Sequence, residues 1–250
     1  MLGIKRPSYE APGVPALAPA QIRAFLKAAE GGPLEALYVL TIFTGLRSGE
    51  VLALRWRDVD LKAGVLMVSS SLRDTGAKKA DKKPSRVIDS PKIAKSARLI
   101  ALPKVAAKAL AQHRKRTVVD APDALVFPNE RGRPLWRQNL LRRSFYPLLE
   151  RAGLVDAAGE PLLSFHDLRH VHGTELFRAG VHPKVVQERL GHSRVSVTLD
   201  TYSSSVPGMQ ESAVRSIDRS YPASTAYATR RATRGPKKGA CKVRKKPRKR

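Results

Sequence analysis

Apolar residues in this chain recur at helical spacing over a series of short segments, several of them closed by glycine, and only one stretch near the middle breaks that rhythm. Ile22, Phe25, Leu26 and Ala29 share one face of a segment from Pro19 to Ala29 that Gly31-Gly32 ends. A second segment runs from Pro33 to Thr44 before Gly45, and a third, short one from Leu46 to Leu54. The break comes next: Gly64 to Leu72, Arg86 to Ile93 and Arg98 to Leu102 read as strands, the last two joined by the polar turn Ala94 to Ala97. Between the first two strands, the lysine-rich stretch Arg73 to Ser85 reads as a mobile loop. Pro103 suits the first turn of a helix to Arg116, because that position needs no N–H donor. Helical spacing then returns over Arg137 to Arg151, His166 to Ala179, Pro183 to Leu190 and Val195 to Ser203, and more weakly over Met209 to Ile217. The pattern predicts a mainly α protein with one small three-stranded antiparallel sheet, an α+β fold without internal repeats.

A chain of 250 residues can bury a sizeable core, so its charge is not a sign of wholesale disorder. That charge is +26, from 47 Lys and Arg against 21 Asp and Glu. Residues Pro222 to Arg250 hold 12 of the basic residues and no acid, which leaves 35 against 21 in the body. The tail has too few apolar residues to offset the entropy of ordering and is expected to be a disordered, phosphate-seeking segment. A surplus of this sign on the folded body points to a polyanionic partner. No run of apolar residues is long enough to span a membrane, and Lys5 and Arg6 are followed by no apolar stretch of a secretory signal. The single cysteine, Cys241, fits a reducing compartment, and the cytoplasm is the expected location.

Four polar clusters interrupt the apolar pattern. Arg47 and Glu50 lie three apart at the start of a short helix; taken alone they read as a surface ion pair worth little. His166, Arg169 and His170 share a helical face, where a guanidinium argues against a bound cation. His192 sits where one helix stops and another begins, and Tyr202 ends an apolar segment where a packing role is the ordinary reading. Together they form a different set: arginines, histidines, a lysine and a tyrosine, without a carboxylate cluster for Mg²⁺. That set suits metal-free attack on a phosphodiester. Guanidinium forks can hold the non-bridging oxygens and neutralise charge in the pentacoordinate state. A tyrosine can be the nucleophile, a histidine can take its proton, and a lysine can protonate the departing 5′ oxygen.

The words TGLRSGE with LRW, SPKIAKSARLIALP, SFHDLRH and LGHSRVSVTLDTYS, in that order, make the chain resemble the catalytic domain of the tyrosine recombinase, or phage integrase, family. VFPNERGRPL and ERAGL look like its connecting segments, and the resemblance covers roughly Ala16 to Ser205. It implies that Arg47 and Arg169 clamp the scissile phosphate, Tyr202 attacks it, and His166 is the general base or a proton shuttle. His192 would donate a hydrogen bond to a phosphate oxygen, Lys92 would be the general acid with Lys95 as its rival, and Glu50 would orient Arg47. His170 matches a second family histidine that is usually structural and stands outside this catalytic set. No metal and no cofactor is implied, because the phosphotyrosine conserves the bond energy.

Two places depart from the family pattern: Ile93 stands where threonine is common, and the tripeptide Val171-His172-Gly173 where a small hydroxyl and apolar residues are commoner. Gly173 inside a helix costs about 1 kcal/mol relative to alanine. The expected organisation is a lead of residues 1–15, a catalytic domain over 16–221 and the basic tail over 222–250, without the family's N-terminal core-binding clamp. The resemblance implies duplex DNA as partner and a homo-oligomer, a tetramer, assembled on it. The expected function is site-specific recombination through a 3′-phosphotyrosyl intermediate. The competing readings are nicking and relaxing of DNA, as in the similar type IB topoisomerases, and a catalytically weak DNA-binding remnant.

Overall fold

The computed structural model of the protein describes residues 17–75, 85–89, 97–117, 121–202 and 209–221. Two units can be distinguished, Met1–Pro207 and Gly208–Arg250.

In the first unit, helices α1 (Pro19–Ala29), α2 (Glu35–Thr44) and α3 (Ser48–Ala53) follow the apolar spacing closely. Pro19 opens α1, where the side-chain oxygen of Gln21 accepts the Ala18 N–H at 2.9 Å. Nearly every residue of α2 is buried, which makes it the central helix of the core. It ends at Gly45 in the left-handed conformation (φ 67°), where only glycine avoids strain. Phe25, Tyr38, Phe145 and Phe165 pack through edge and tilted ring contacts, with Phe25 and Tyr38 5.6 Å apart.

The small antiparallel sheet is present, but its membership differs from the sequence expectation. Strands β1 (Val59–Asp60), β2 (Val65–Val68) and β5 (Arg98–Ala101) form the three-stranded sheet in the order β1-β2-β5, with Val68 opposite Arg98. The apolar run expected as one strand from Gly64 to Leu72 breaks at Ser69-Ser70, where the Ser69 hydroxyl donates to Asp58 at 2.9 Å. Beyond the break, β3 (Ser71–Thr75) pairs with β4 (Ser85–Asp89) as a separate two-stranded ribbon. Arg73 and Asp89 form an ion pair across it. Alternation in apolar residues marks strands but does not say which strand is whose neighbour, so the second run, expected in the three-stranded sheet, lies in the ribbon instead. The expected loop is shorter than Arg73 to Ser85, since both ends are strand; residues 76–84 lie outside the described residues.

Helix α4 (Lys104–Arg116) follows Pro103, as expected. The stretch Arg137 to Arg151 is helical in three pieces: α5 (Arg137–Leu140), a π turn (Leu141–Phe145) and α6 (Tyr146–Arg151). Pro147 supplies the reason, because it has no N–H for the carbonyl four residues back and its ring crowds that carbonyl, so the preceding turn widens. Helices α7 (Asp167–Arg178), α8 (Pro183–Leu190) and α9 (Val195–Tyr202) complete the unit. Where they meet, Phe177, Val186, Leu190 and Tyr202 form a small apolar cluster distinct from the main core.

The second unit contributes α10 (Met209–Ser220), on which Val214 and Ile217 are exposed. The basic tail from residue 222 onwards lies outside the described residues. No described helix is long and apolar enough to cross a membrane.

Candidate active site

The C-terminus of α8 is the point on which the predicted residues converge. Its last carbonyls are orphaned by helix geometry and carry the negative end of the helix dipole, so they attract cations. Three consecutive carbonyls each receive a different guanidinium. Arg98 Nε donates to Arg189 O at 2.8 Å, Arg169 Nη2 to Leu190 O at 2.5 Å, and Arg47 Nη2 to Gly191 O at 3.1 Å. Gly191 turns the chain in the left-handed conformation (φ 66°) before His192 follows.

Like charges this close repel unless a counter-charge stands among them, and Glu50 is that counter-charge. One of its oxygens accepts the Arg47 backbone N–H at 2.8 Å, and the other accepts Arg47 Nη1 at 2.9 Å. Both accept from Arg98, whose Nη1 and Nη2 form a fork at 2.9 Å each. Burial alone would push the Glu50 carboxyl up; Arg98 and Arg47 overcome it and hold it down at about 2. Arg169 is buried and also donates Nη1 to Gly45 O at 2.7 Å. Burial, then the Arg47 charge, lowers its guanidinium to about 9, so it remains a cation at neutral pH. Arg47 differs from the other two: its side chain is 40% exposed.

Tyr202 lies across the same region, fully buried at the end of α9. Its ring packs on Phe177 and runs parallel to the His192 imidazole at 6.4 Å. The phenol oxygen is 3.3 Å from His170 Nδ1, and the His170 ring meets that of His166 edge to face at 4.9 Å. The three side chains form a line from a buried phenol through a half-buried imidazole to an exposed one. Burial pushes the Tyr202 phenol up to about 12, against the pull of Arg169 and Arg47. Both imidazoles on the line are lowered, His170 by burial and then His166, and His166 by burial and then Arg169. His192 makes a 2.8 Å hydrogen bond to Thr198 through Nδ1, and burial with the surrounding arginines lowers it to about 4. Its backbone oxygen accepts from the side chain of Gln187.

The structure thus brings together Arg47, Glu50, His166, Arg169, His192 and Tyr202. Lys92, and with it the rival Lys95, lies outside the described residues. Three further residues shape the site in ways the sequence alone does not indicate. Arg98 carries a visible signal, a charged residue opening an apolar strand, but its partners on α3 and α8 are 48 and 91 positions away. His170 carries the family's structural role in the sequence reading, yet its ring nitrogen is the one hydrogen-bonded to the Tyr202 oxygen. Gly173 reads as a helix-weakening departure, although its missing side chain is what admits the Tyr202 ring.

The sequence matches the phage integrase family over residues 15–207. It is 31% identical over 211 residues to a "Tyrosine recombinase XerC-like" protein of Caldanaerobacter subterraneus subsp. tengcongensis, which covers 79% of this chain and 52% of that relative. It is also 31% identical over 223 residues to an "Integrase" of Streptomyces ambofaciens, covering 81% of this chain and 53% of the other. The chain spans about half the length of these curated relatives. Among solved structures, the Tn1549 transposon integrase in complex with circular intermediate DNA superposes with a TM-score of 0.67 at 26% identity, over 84% of this chain and 68% of that one. With a family match over most of its length, the chain belongs to the phage integrase family of tyrosine recombinases.

Proposed function

We propose that this chain carries the strand-cutting and strand-joining centre of a site-specific DNA recombinase. The observation that supports it best is the gathering of Arg47, Arg169, His192 and Tyr202 around the single turn that ends α8. Arg47 and Arg169 hold the scissile phosphate, Arg47 being the one with an exposed head to offer. The Tyr202 oxygen attacks phosphorus, a phosphotyrosyl bond to the 3′ end forms, and the bond from phosphorus to the 5′ oxygen breaks. The phenol proton passes to His170 and on to His166, which is exposed and can release it; this gives His166 the shuttle role and makes His170 the first acceptor. His192 donates to a phosphate oxygen, and Lys92 protonates the leaving 5′ oxygen. Reversal of these steps with a new 5′ hydroxyl rejoins the strand, so no cofactor is consumed. The basic body and tail supply phosphate attraction, and the active assembly on duplex DNA is a tetramer.

The decisive experiment incubates the protein with a nicked suicide duplex, in which the cleaved fragment diffuses away. A covalent protein–DNA adduct that is absent with Tyr202→Phe is the expected result. Salt-sensitive binding without an adduct on any substrate contradicts catalysis and leaves a DNA-binding role. Relaxation of supercoiled DNA without strand exchange favours a nicking and relaxing activity instead.

A further inference from the structure

We propose that Arg98 is a positioning residue for the phosphate clamp, acting through Glu50 and the Gly191 turn to hold the Arg47 guanidinium in place. The inference rests on the strand-transfer reading above and extends it to a residue that has no counterpart among the roles assigned there.

Arg98 opens β5 with its side chain 9% exposed, beside the clamp residues. Each of its three nitrogens is committed: Nη1 and Nη2 to the two oxygens of Glu50, and Nε to the carbonyl of Arg189. The Arg98 side chain also packs against Gly191, where a Cβ would come within 2.9 Å of Nη1 and 3.1 Å of Cζ. Arg47 is held by these same two elements, through Nη1 to Glu50 and Nη2 to the Gly191 carbonyl. Arg98 therefore braces both supports of Arg47 without touching Arg47 itself.

The chemistry requires an arginine. A planar fork matches the two carboxylate oxygens while its third nitrogen reaches sideways to a carbonyl, whereas a lysine ammonium offers one point charge on a flexible stem. Without Arg98, Glu50 keeps Arg47 as its remaining charged partner in the described site, and the exposed head of Arg47 is drawn inward to satisfy a buried carboxylate. The turn carrying Gly191 and His192 loses its backing in the same step. Misplacing a positioning group by about 1 Å can cost about 10²-fold in rate.

The test compares the full chain with Arg98→Met and Arg98→Lys on the nicked suicide duplex, measuring DNA affinity and the rate of adduct formation for each. We expect unchanged affinity and adduct formation slowed by about 10²-fold in Arg98→Met. Arg98→Lys, which keeps the charge and favours folding, should recover only a small part of the loss. The same rates are then measured on a duplex whose scissile phosphate is replaced by a methylphosphonate. That group carries no negative charge and asks less of Arg47, so the gap between variant and wild type should narrow. A merely structural role predicts an equal gap on both substrates, and that result overturns the proposal, as does a wild-type rate in Arg98→Lys. No adduct from the wild-type chain overturns the strand-transfer reading and this inference with it. A wild-type adduct matched in rate by Arg98→Met overturns the inference alone.

Discussion

Gly173 of α7 lies directly beneath the ring of Tyr202, so close that a Cβ there would meet Cζ at 2.3 Å and the phenol oxygen at 2.7 Å. No real side chain tolerates such contacts, so the two residues are one packing unit: the helix gives up a methyl group and the ring occupies its place. The cost of glycine in a helix interior, about 1 kcal/mol, is set against the burial of an aromatic ring worth about 1.5–3 kcal/mol.

Gly173→Ala should therefore lower stability, although alanine is the better helix former. Overpacking of about 1–3 kcal/mol exceeds the propensity gain of about 1 kcal/mol. Thermal unfolding is expected to shift down by a few degrees, at about 2–4 °C per kcal/mol for a domain of this size. An unchanged or raised midpoint would show that the ring does not rest on Gly173.

His170→Phe is expected to slow adduct formation by about 10²-fold or more, the usual worth of a positioned acid–base group. The phenol is pushed up to about 12, so near neutral pH it carries its proton and needs an acceptor within reach. The variant rate should climb with rising pH as solvent base replaces the imidazole, which a pH series of single-turnover cleavage reads directly. A wild-type rate and profile would remove His170 from the proton path.

Glu50→Gln should be among the most destabilising single substitutions at the site. Glu50 is 7% exposed and neutralises Arg98, itself 9% exposed. Removing one partner of a buried pair typically costs about 3–5 kcal/mol, because the other charge is left without compensation. Arg47 adds less, since its side chain is 40% exposed and solvent screens it. Chemical denaturation of the variant measures the loss, and a change below about 1 kcal/mol would place the pair among ordinary surface ion pairs.

Stability should fall as the solution is acidified from neutral pH. Burial and the Arg189 charge hold His172 at about 3, and burial with Arg169 holds His192 at about 4. Unfolded histidines titrate near 6.5, so below that pH the unfolded chain binds more protons and the equilibrium moves toward it. The contribution of these two residues is complete above about 6.5 and lost as pH drops toward their folded values. Glu50, held at about 2, adds a second loss below its unfolded value of 4.5. A melting series between pH 7.5 and pH 4.5, expressed as about 2–4 °C per kcal/mol, should slope downward toward acid. Replacing His172 should flatten that slope, because no neutral imidazole is then left to protonate there.

Much of the fold can be read without coordinates. Helices α1, α2, α4, α7, α8 and α9 lie where the apolar period and the closing Gly45 and Gly191 place them. The residues of the site are legible one word at a time, since Arg47 and Glu50, or His166 and Arg169, are local pairs on a single helix start. Strand pairing was not legible: β4 looks like a neighbour of β5 but pairs with β3, and the backbone groups that decide this carry no trace in the side-chain pattern.

The amino-acid order by itself determined where most helices lie and which polar residues are on offer, because periodicity, caps and residue identity are local properties. Only the tertiary structure decided how those residues act on one another. It set three arginines on three successive carbonyls at the end of α8, placed Arg98 against Glu50, and made His170 the neighbour of the Tyr202 oxygen. It also turned Gly173 from an apparent flaw into the floor of the Tyr202 seat. Each of these joins residues distant in sequence, where the energy comes from charge compensation and close packing in space, and no spacing along the chain encodes a distance across it.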